Sequence, residues 1–219
     1  MMGRTHALSG AVAMLATLTA TNWHHDSLPT LTVATLTATG AALLPDLDHP
    51  HSTISRSLGP LSRVLSNLVA AIAGGHRHAT HSLLGTAAAT LATAALVAAG
   101  RWPLLICIGF LIALGAGSLG LTPGRTPHLL LVAATIGLLT LAIHHGADPT
   151  LTPLAVAVGC ASHIAGDLLT GDGVALFHPL RSRVRVAGLR TGGVVEKLLV
   201  GPSLGIMAVV LVWTGGGGR

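Results

Sequence analysis

Acidic residues are scarce in this chain. Its 219 residues include seven Asp and Glu against twelve Lys and Arg. Charged residues make up 9% of it, where a soluble domain carries about 25%. A surface so poor in charge cannot face water everywhere, which excludes an ordinary soluble domain and makes lipid the expected solvent. Aromatics are scarcer still, with three Trp, two Phe and no Tyr. That removes the interfacial Trp and Tyr belt common in membrane proteins. It also removes the aromatic platforms that stack single-stranded bases. An isoelectric point near 11.0 would otherwise suggest nucleic acid. Here the basic residues fall in loops between apolar segments, so topology and phosphate groups come first and nucleic acid is not an expected partner. Cys107 and Cys160 both lie in apolar runs and read as small buried hydrophobes.

What fills the chain is Leu, Ala, Val, Thr and Gly. It is 51% hydrophobic, with a mean hydropathy of +0.73. Small residues of this kind let membrane helices approach closely. Apolar segmentation gives seven candidate helices, roughly 5–21, 30–45, 80–99, 103–121, 128–144, 151–170 and 197–214. We read 5–21 as a retained first helix rather than a cleaved signal. An eighth, 59–73, is interrupted by Ser62, Arg63, Ser66 and Asn67 and suits an interfacial position. The expectation is an all-α polytopic bundle with about six to seven transmembrane helices and an interfacial helix, forming one integral membrane domain over 1–219.

Tracing these helices back and forth places Arg4, Arg56, Arg63, Arg77, Arg125, Arg181, Arg183, Arg185, Arg190 and Lys197 on one side. Arg101 and Arg219 fall on the other. That is ten against two of the twelve basic residues, and the positive-inside rule makes the first side cytoplasmic.

The same trace gathers the polar clusters on that side. His6 opens the first helix. "LLPDLDHP" supplies Asp46, Asp48 and His49, and "HRHATH" supplies His76, Arg77, His78 and His81. His163 and Asp167 stand four apart on one helix face, and Glu196 begins the last helix. Thr80 is placed to cap the third helix. Imidazole with carboxylate suits Zn, then Mn or Fe, better than Ca. Ionisable groups at a membrane helix end are costly and usually functional. More ligands than one ion needs suggest two ions, as in centres that hydrolyse phosphoesters. The expected ligands are His6, Asp46, Asp48, His49, His81, His163 and Asp167. His76 or Glu196 would be general acid or base, and Arg77 would stabilise developing negative charge. His24, His25, His144 and His145 gather on the opposite side, where a polar loop is the simpler reading. His178 and His51 lie on the cytoplasmic side with no assigned role.

"GRTHALSG", "LLPDLDHP", "HRHATHSLLG" and "SHIAGDLLTGDGVALFHPL" together resemble the family of membrane-bound metal-dependent hydrolases, also described as LexA-regulated inner-membrane hydrolases. The resemblance covers roughly residues 3–200. It implies an integral membrane protein with a metal-dependent hydrolase site at His6, at Asp46, Asp48 and His49, at His76, Arg77, Thr80 and His81, and at His163 and Asp167. The small residue expected after His-Arg is replaced by His78. The family supplies no substrate.

Three functions compete. A metal-dependent hydrolase acting on a phosphoester or lipid-like substrate at the cytoplasmic membrane face leads. A metal transporter would need ionisable residues through the bilayer, and the middle helices have almost none. A membrane protein with a metal-stabilised cytoplasmic cap would bind an ion and hydrolyse nothing.

Overall fold

The computed structural model describes residues 1–21, 27–122, 127–180 and 182–216. His24 and His25 of the opposite-side group, with Arg125, Arg181 and Arg219 of the charge count, lie outside them. The chain runs α1 Gly3–Ala20, α2 Leu28–Ala41, a 3-10 turn Pro45–Asp48, α3 Thr53–Ser57, α4 Pro60–Ala73 and a 3-10 turn Ala79–His81. There follow α5 Leu83–Ala99, α6 Arg101–Ser118, α7 His128–His144, a 3-10 turn Pro149–Leu151, α8 Thr152–Leu168, a π-turn Glu196–Val200 and α9 Gly201–Gly216. Among the described residues there are no strands, only the isolated bridges Thr170–Leu189 and Val174–Val184. The all-helical expectation is met.

Four stretches are long and apolar enough to cross a membrane: Leu28–Asp48, Arg101–Ser118, Pro149–Leu168 and Glu196–Thr214. The predicted six to seven also drew on α1, α5 and α7. The last two are apolar but only 17 residues each, short of the ~20 that span comfortably. α1 has the length, but Arg4, Thr5 and His6 make its first turn polar.

Threonine is abundant in these helices because its hydroxyl can be satisfied internally. In α2, Thr32, Thr35, Thr37 and Thr39 each donate to the carbonyl four residues earlier, at 2.7–2.8 Å. No bare hydroxyl then faces an apolar neighbour. Side-chain caps start three helices: Ser27 accepts from Thr30 N, Ser52 from Ser55 N and Ser82 from Gly85 N. Thr80 was the expected cap of the third apolar helix. Ser82 takes that place, because two more residues are spent in the 3-10 turn.

α2 is the central helix, packed by α1, α6 and α8. Glycine makes those approaches close. A Cβ on Gly10 of α1 would stand 2.5 Å from the Ala38 carbonyl oxygen, and one on Gly159 of α8 would stand 2.6 Å from the same atom. This positions the ends of α1, α2 and α8 within side-chain reach of one another. α4 is turned the other way round from a helix on a water-soluble core. Ser62 and Ser66 are buried, while Leu61, Val64, Leu65, Leu68 and Ile72 are exposed. Ser66 meets the Ser55 hydroxyl at 2.9 Å, and Ser62 donates to the Ser55 carbonyl at 3.0 Å.

Candidate metal centre

Pro45 stops α2 and starts a 3-10 turn, where its missing N–H leaves no bond unmade. With three residues per turn, positions two apart point in different directions. Asp46 therefore turns one way and Asp48 another.

Asp46 turns toward His81 and His163. Its Oδ1 lies 3.6 Å from His81 Nε2 and 3.7 Å from His163 Nε2. Asp167, one turn beyond His163 on α8, places Oδ2 3.7 Å from each of the same two nitrogens. The nitrogens themselves are 3.1 Å apart. These five separations, 3.1–3.7 Å, are each close to the donor–donor edge of a tetrahedral ion site. Zn–N and Zn–O bonds of about 2.0–2.1 Å in tetrahedral geometry give edges of about 3.3 Å. His81, His163 and Asp167 are buried, whereas the Asp46 side chain is 20% exposed and forms the outward vertex.

The ring orientations agree with this. His163 Nδ1 lies 2.6 Å from the carbonyl of Ala42, an acceptor left over at the end of α2. A neutral His163 then carries its proton on Nδ1 and presents a bare Nε2. His81 Nδ1 faces the Thr80 hydroxyl at 3.0 Å and Asp48 at 3.4 Å. Its Nε2 is likewise turned inward. A protonated His81 donates across this 3.1 Å gap to His163 Nε2, and once that proton is displaced the four donors around that point can hold a divalent ion. Two nitrogens and two oxygens suit zinc, with manganese or iron next, and are too few and too nitrogen-rich for calcium.

Asp48 turns to the 74–82 segment. It accepts from His76 Nδ1 at 2.8 Å, from the Arg77 backbone N–H at 3.1 Å and from the Thr80 hydroxyl. That set orients the His81 ring, in the manner of the carboxylates that back metal-bound histidines. Potential ligands fall into two groupings that meet at the tetrahedron, Asp46, Asp48, His76 and His81 in one, His6, His163 and Asp167 in the other. His6 stacks on His163 with ring centres 3.7 Å apart and reaches Asp167 Oδ1 at 3.3 Å. Its buried Nδ1 has no partner.

Arg77 sits at φ +63°, the sole described residue other than glycine with positive φ. Such strain persists where surroundings over-determine the backbone. Here Asp48 accepts from its N–H and Ala175 N–H donates to its carbonyl, at 3.1 Å each. The buried guanidinium lies with Nε 3.0 Å from Asp167 Oδ2, but the N–H points off-line and has no hydrogen-bond partner. Nη1 donates to Thr170 at 2.9 Å and Asp172 at 3.3 Å. Thr170 and Asp172 escaped the sequence reading; the "DLLTGDG" run carrying them was visible, but not that Arg77 would fold over it.

Two expected site residues stand apart from both groupings. Glu196 is buried, yet its oxygens accept from the backbone N–H of Met2 at 2.6 Å and of Gly192 at 2.7 Å. Both are taken, so this carboxylate tethers the first turn of α1 and is not a free base. His49 was expected as a ligand, but its Nδ1 accepts from His51 N–H at 3.1 Å. Its ring packs edge-on to His76, with centres 4.6 Å apart. The 3-10 turn ends before it and leaves its backbone extended. Burial and the neighbouring His76 lower its pKa. His78 meets Arg183 at 3.2 Å, and His178 and His51 join neither grouping.

A family model described as "YdjM inner membrane protein" matches residues 1–121 and 124–216. The chain belongs to the YdjM inner membrane protein family. It is thus a membrane protein by family as well as by its apolar helices. The Bacillus subtilis (strain 168) "Uncharacterized protein YvsG" is 38% identical over 86 residues, covering 38% of this chain and 46% of that relative. The match therefore spans about half the length of the curated relative. No solved structure matches. Family membership places the centre in an inner-membrane protein and leaves its chemistry to the geometry.

His81 provides a pH test. Burial disfavours its charge, but Asp46 and Asp48 outweigh that and raise its pKa from 6.5 to about 9. The folded value is raised, so its contribution to stability is complete below 6.5 and lost as pH rises through about 9. A cation at Nε2 must displace that proton. Zinc affinity is therefore expected to rise steadily between pH 6.5 and 9. Chelator-competition titrations at several pH values in that window check this, and a flat profile counts against His81 as a ligand.

Proposed function

We propose that this protein is a metal-dependent hydrolase that cleaves a phosphoester at the cytoplasmic face of the inner membrane. The supporting observation is the set of five donor separations among Asp46, His81, His163 and Asp167. Zinc held by Asp46, His81, His163 and Asp167 would supply an electrophile able to polarise a phosphoryl oxygen and acidify a water. His163 and His81 keep their lone pairs inward because Ala42 and Asp48 hold their other nitrogens. The exposed vertex at Asp46 is the side from which a substrate and water enter. Arg77 directs its unpartnered Nε–H beside Asp167 and stabilises negative charge developing on the phosphoryl group. His76, its Nδ1 on Asp48 and its side chain 35% exposed, is the general acid or base for the leaving or attacking oxygen. Asp48 with His76 in one grouping, or His6 with the second Asp167 oxygen in the other, offers donors for a second ion, and elemental analysis of the purified protein separates one ion from two. The ten-to-two distribution of basic residues supports the cytoplasmic assignment.

One observation favours a second reading. Four protein donors complete a tetrahedron, and closed spheres are typical of structural zinc. The centre would then clamp the ends of α2, α5 and α8 without catalysis. A transporter has less support, because the interiors of α5, α6 and α7 carry no Asp, Glu, Lys or Arg. Purified protein loaded with zinc or manganese should turn over at least one member of a phosphoester panel. Bound metal with no turnover on any member would sink the hydrolase and leave the clamp.

A further inference from the structure

An apolar groove of about 400 Å³ runs beside the centre, between α4 and α5. Val69 and Ile72 form one wall, Leu84 and Ala88 the other, with Leu44 and Cys160 beneath. Pro45 and Thr80 line it as well. These two join the groove to the donors: Pro45 precedes Asp46, and the Thr80 hydroxyl donates to Asp48. The floor residue Cys160 is one helical turn before His163. Groove and centre therefore share a wall.

Three features say what lies in it. First, the lining offers almost no polar partner, so a soluble polar substrate gains nothing there. Second, α4 turns Leu61, Leu65, Leu68 and Ile72 outward. At 14 residues it is about 21 Å long, too short to cross about 30 Å of hydrocarbon. A helix of that kind lies along the interface with its apolar side in lipid, so the groove opens at the level where acyl chains begin. Third, Arg183 reaches His78 at 3.2 Å, two residues from Thr80. Exposed arginines at that level attract anionic headgroups.

We infer that the groove holds an acyl chain of an anionic phospholipid, with the headgroup phosphate presented to Asp46, His81, His163 and Asp167. This rests on the metal-centre reading and narrows its substrate to a membrane lipid. A chain in the groove is fixed along its length, so the phosphoester reaches the ion in a limited range of positions.

The test uses the full chain in detergent, loaded with zinc, and phosphatidylglycerol carrying a diazirine at mid-chain. Photolabelled peptides are mapped by mass spectrometry. Label should concentrate on α4 and α5 relative to α9, which exposes apolar side chains between Ile206 and Trp213. Ala88→Phe fills the groove from the α5 side. It should lower that labelling about tenfold, equivalent to two methylenes displaced, with α9 labelling unchanged. Val69→Trp fills it from the α4 side and carries the test if the first variant does not elute as a single species. Equal label on α4, α5 and α9, or label on α5 unchanged by both variants, overturns the groove. Zinc equivalents are measured on the same samples. Zinc bound with uniform label refutes the groove alone. Groove labelling without bound zinc refutes the metal centre alone.

Discussion

His163→Ala is expected to abolish metal binding. The residue supplies a buried nitrogen with 3.1–3.7 Å edges to His81, Asp46 and Asp167. Alanine leaves three donors and a gap where the fourth was. The loss in zinc affinity should exceed the roughly 10–100-fold that follows removal of a residue behind a ligand. Asp48→Asn tests that comparison directly. In the observed geometry Asp48 orients His81 and presents His76, and an amide keeps the shape while losing the charge. Its loss should fall within that 10–100-fold range. Metal equivalents and chelator-competition affinities on both variants decide the ranking. If Asp48→Asn loses zinc as completely as His163→Ala, Asp48 is a direct ligand and the two-ion arrangement gains ground. If His163→Ala retains a full equivalent, the tetrahedron is not the site.

Gly40→Ala is expected to be the most damaging small substitution in the bundle. A Cβ at that position would overlap the backbone carbonyl of Leu111, where α2 crosses α6. Backbone cannot swing aside as a side-chain tip can, so the helices must separate. Overpacking typically costs about 1–3 kcal/mol, and this contact belongs at the upper end. For a chain of this size that is a fall in Tm of about 6–12 °C. Gly137→Ala is the control. Nothing lies within 4 Å of a Cβ there, and a helix-interior glycine replaced by alanine gains roughly 0.5–1 kcal/mol. Thermal unfolding in detergent should move down for the first and hold or rise for the second. Similar Tm values for both would show that α2 and α6 are not packed as described.

Much of the candidate centre was legible before folding. Asp46, His81, His163 and Asp167 stood out because the chain has so few acids and because each sits at an apolar boundary, where a charge is expensive. The i,i+4 spacing of His163 and Asp167 fixed their shared face in advance. His49 and Glu196 looked equally good by type and position. They stand outside the groupings for reasons beyond residue type: a 3-10 turn ends one residue before His49, and two backbone N–H groups claim Glu196. Apart from α3, which the sequence reading did not include, the helices were found within a few residues of their observed ends. The span count was less secure, since α5 and α7 stop short of the usual length and α1 begins with a polar turn.

The sequence by itself determined the solvent, the helical class and the pool of donors. Those follow from composition and from where charge interrupts apolar periodicity, which are local properties. Only the tertiary structure decided which donors face one point. That choice depends on a left-over carbonyl at Ala42 turning one ring, on Asp48 turning another, and on glycines that let α1 and α8 close against α2. Each is a contact between segments far apart in the chain, and spacing along one segment cannot encode it.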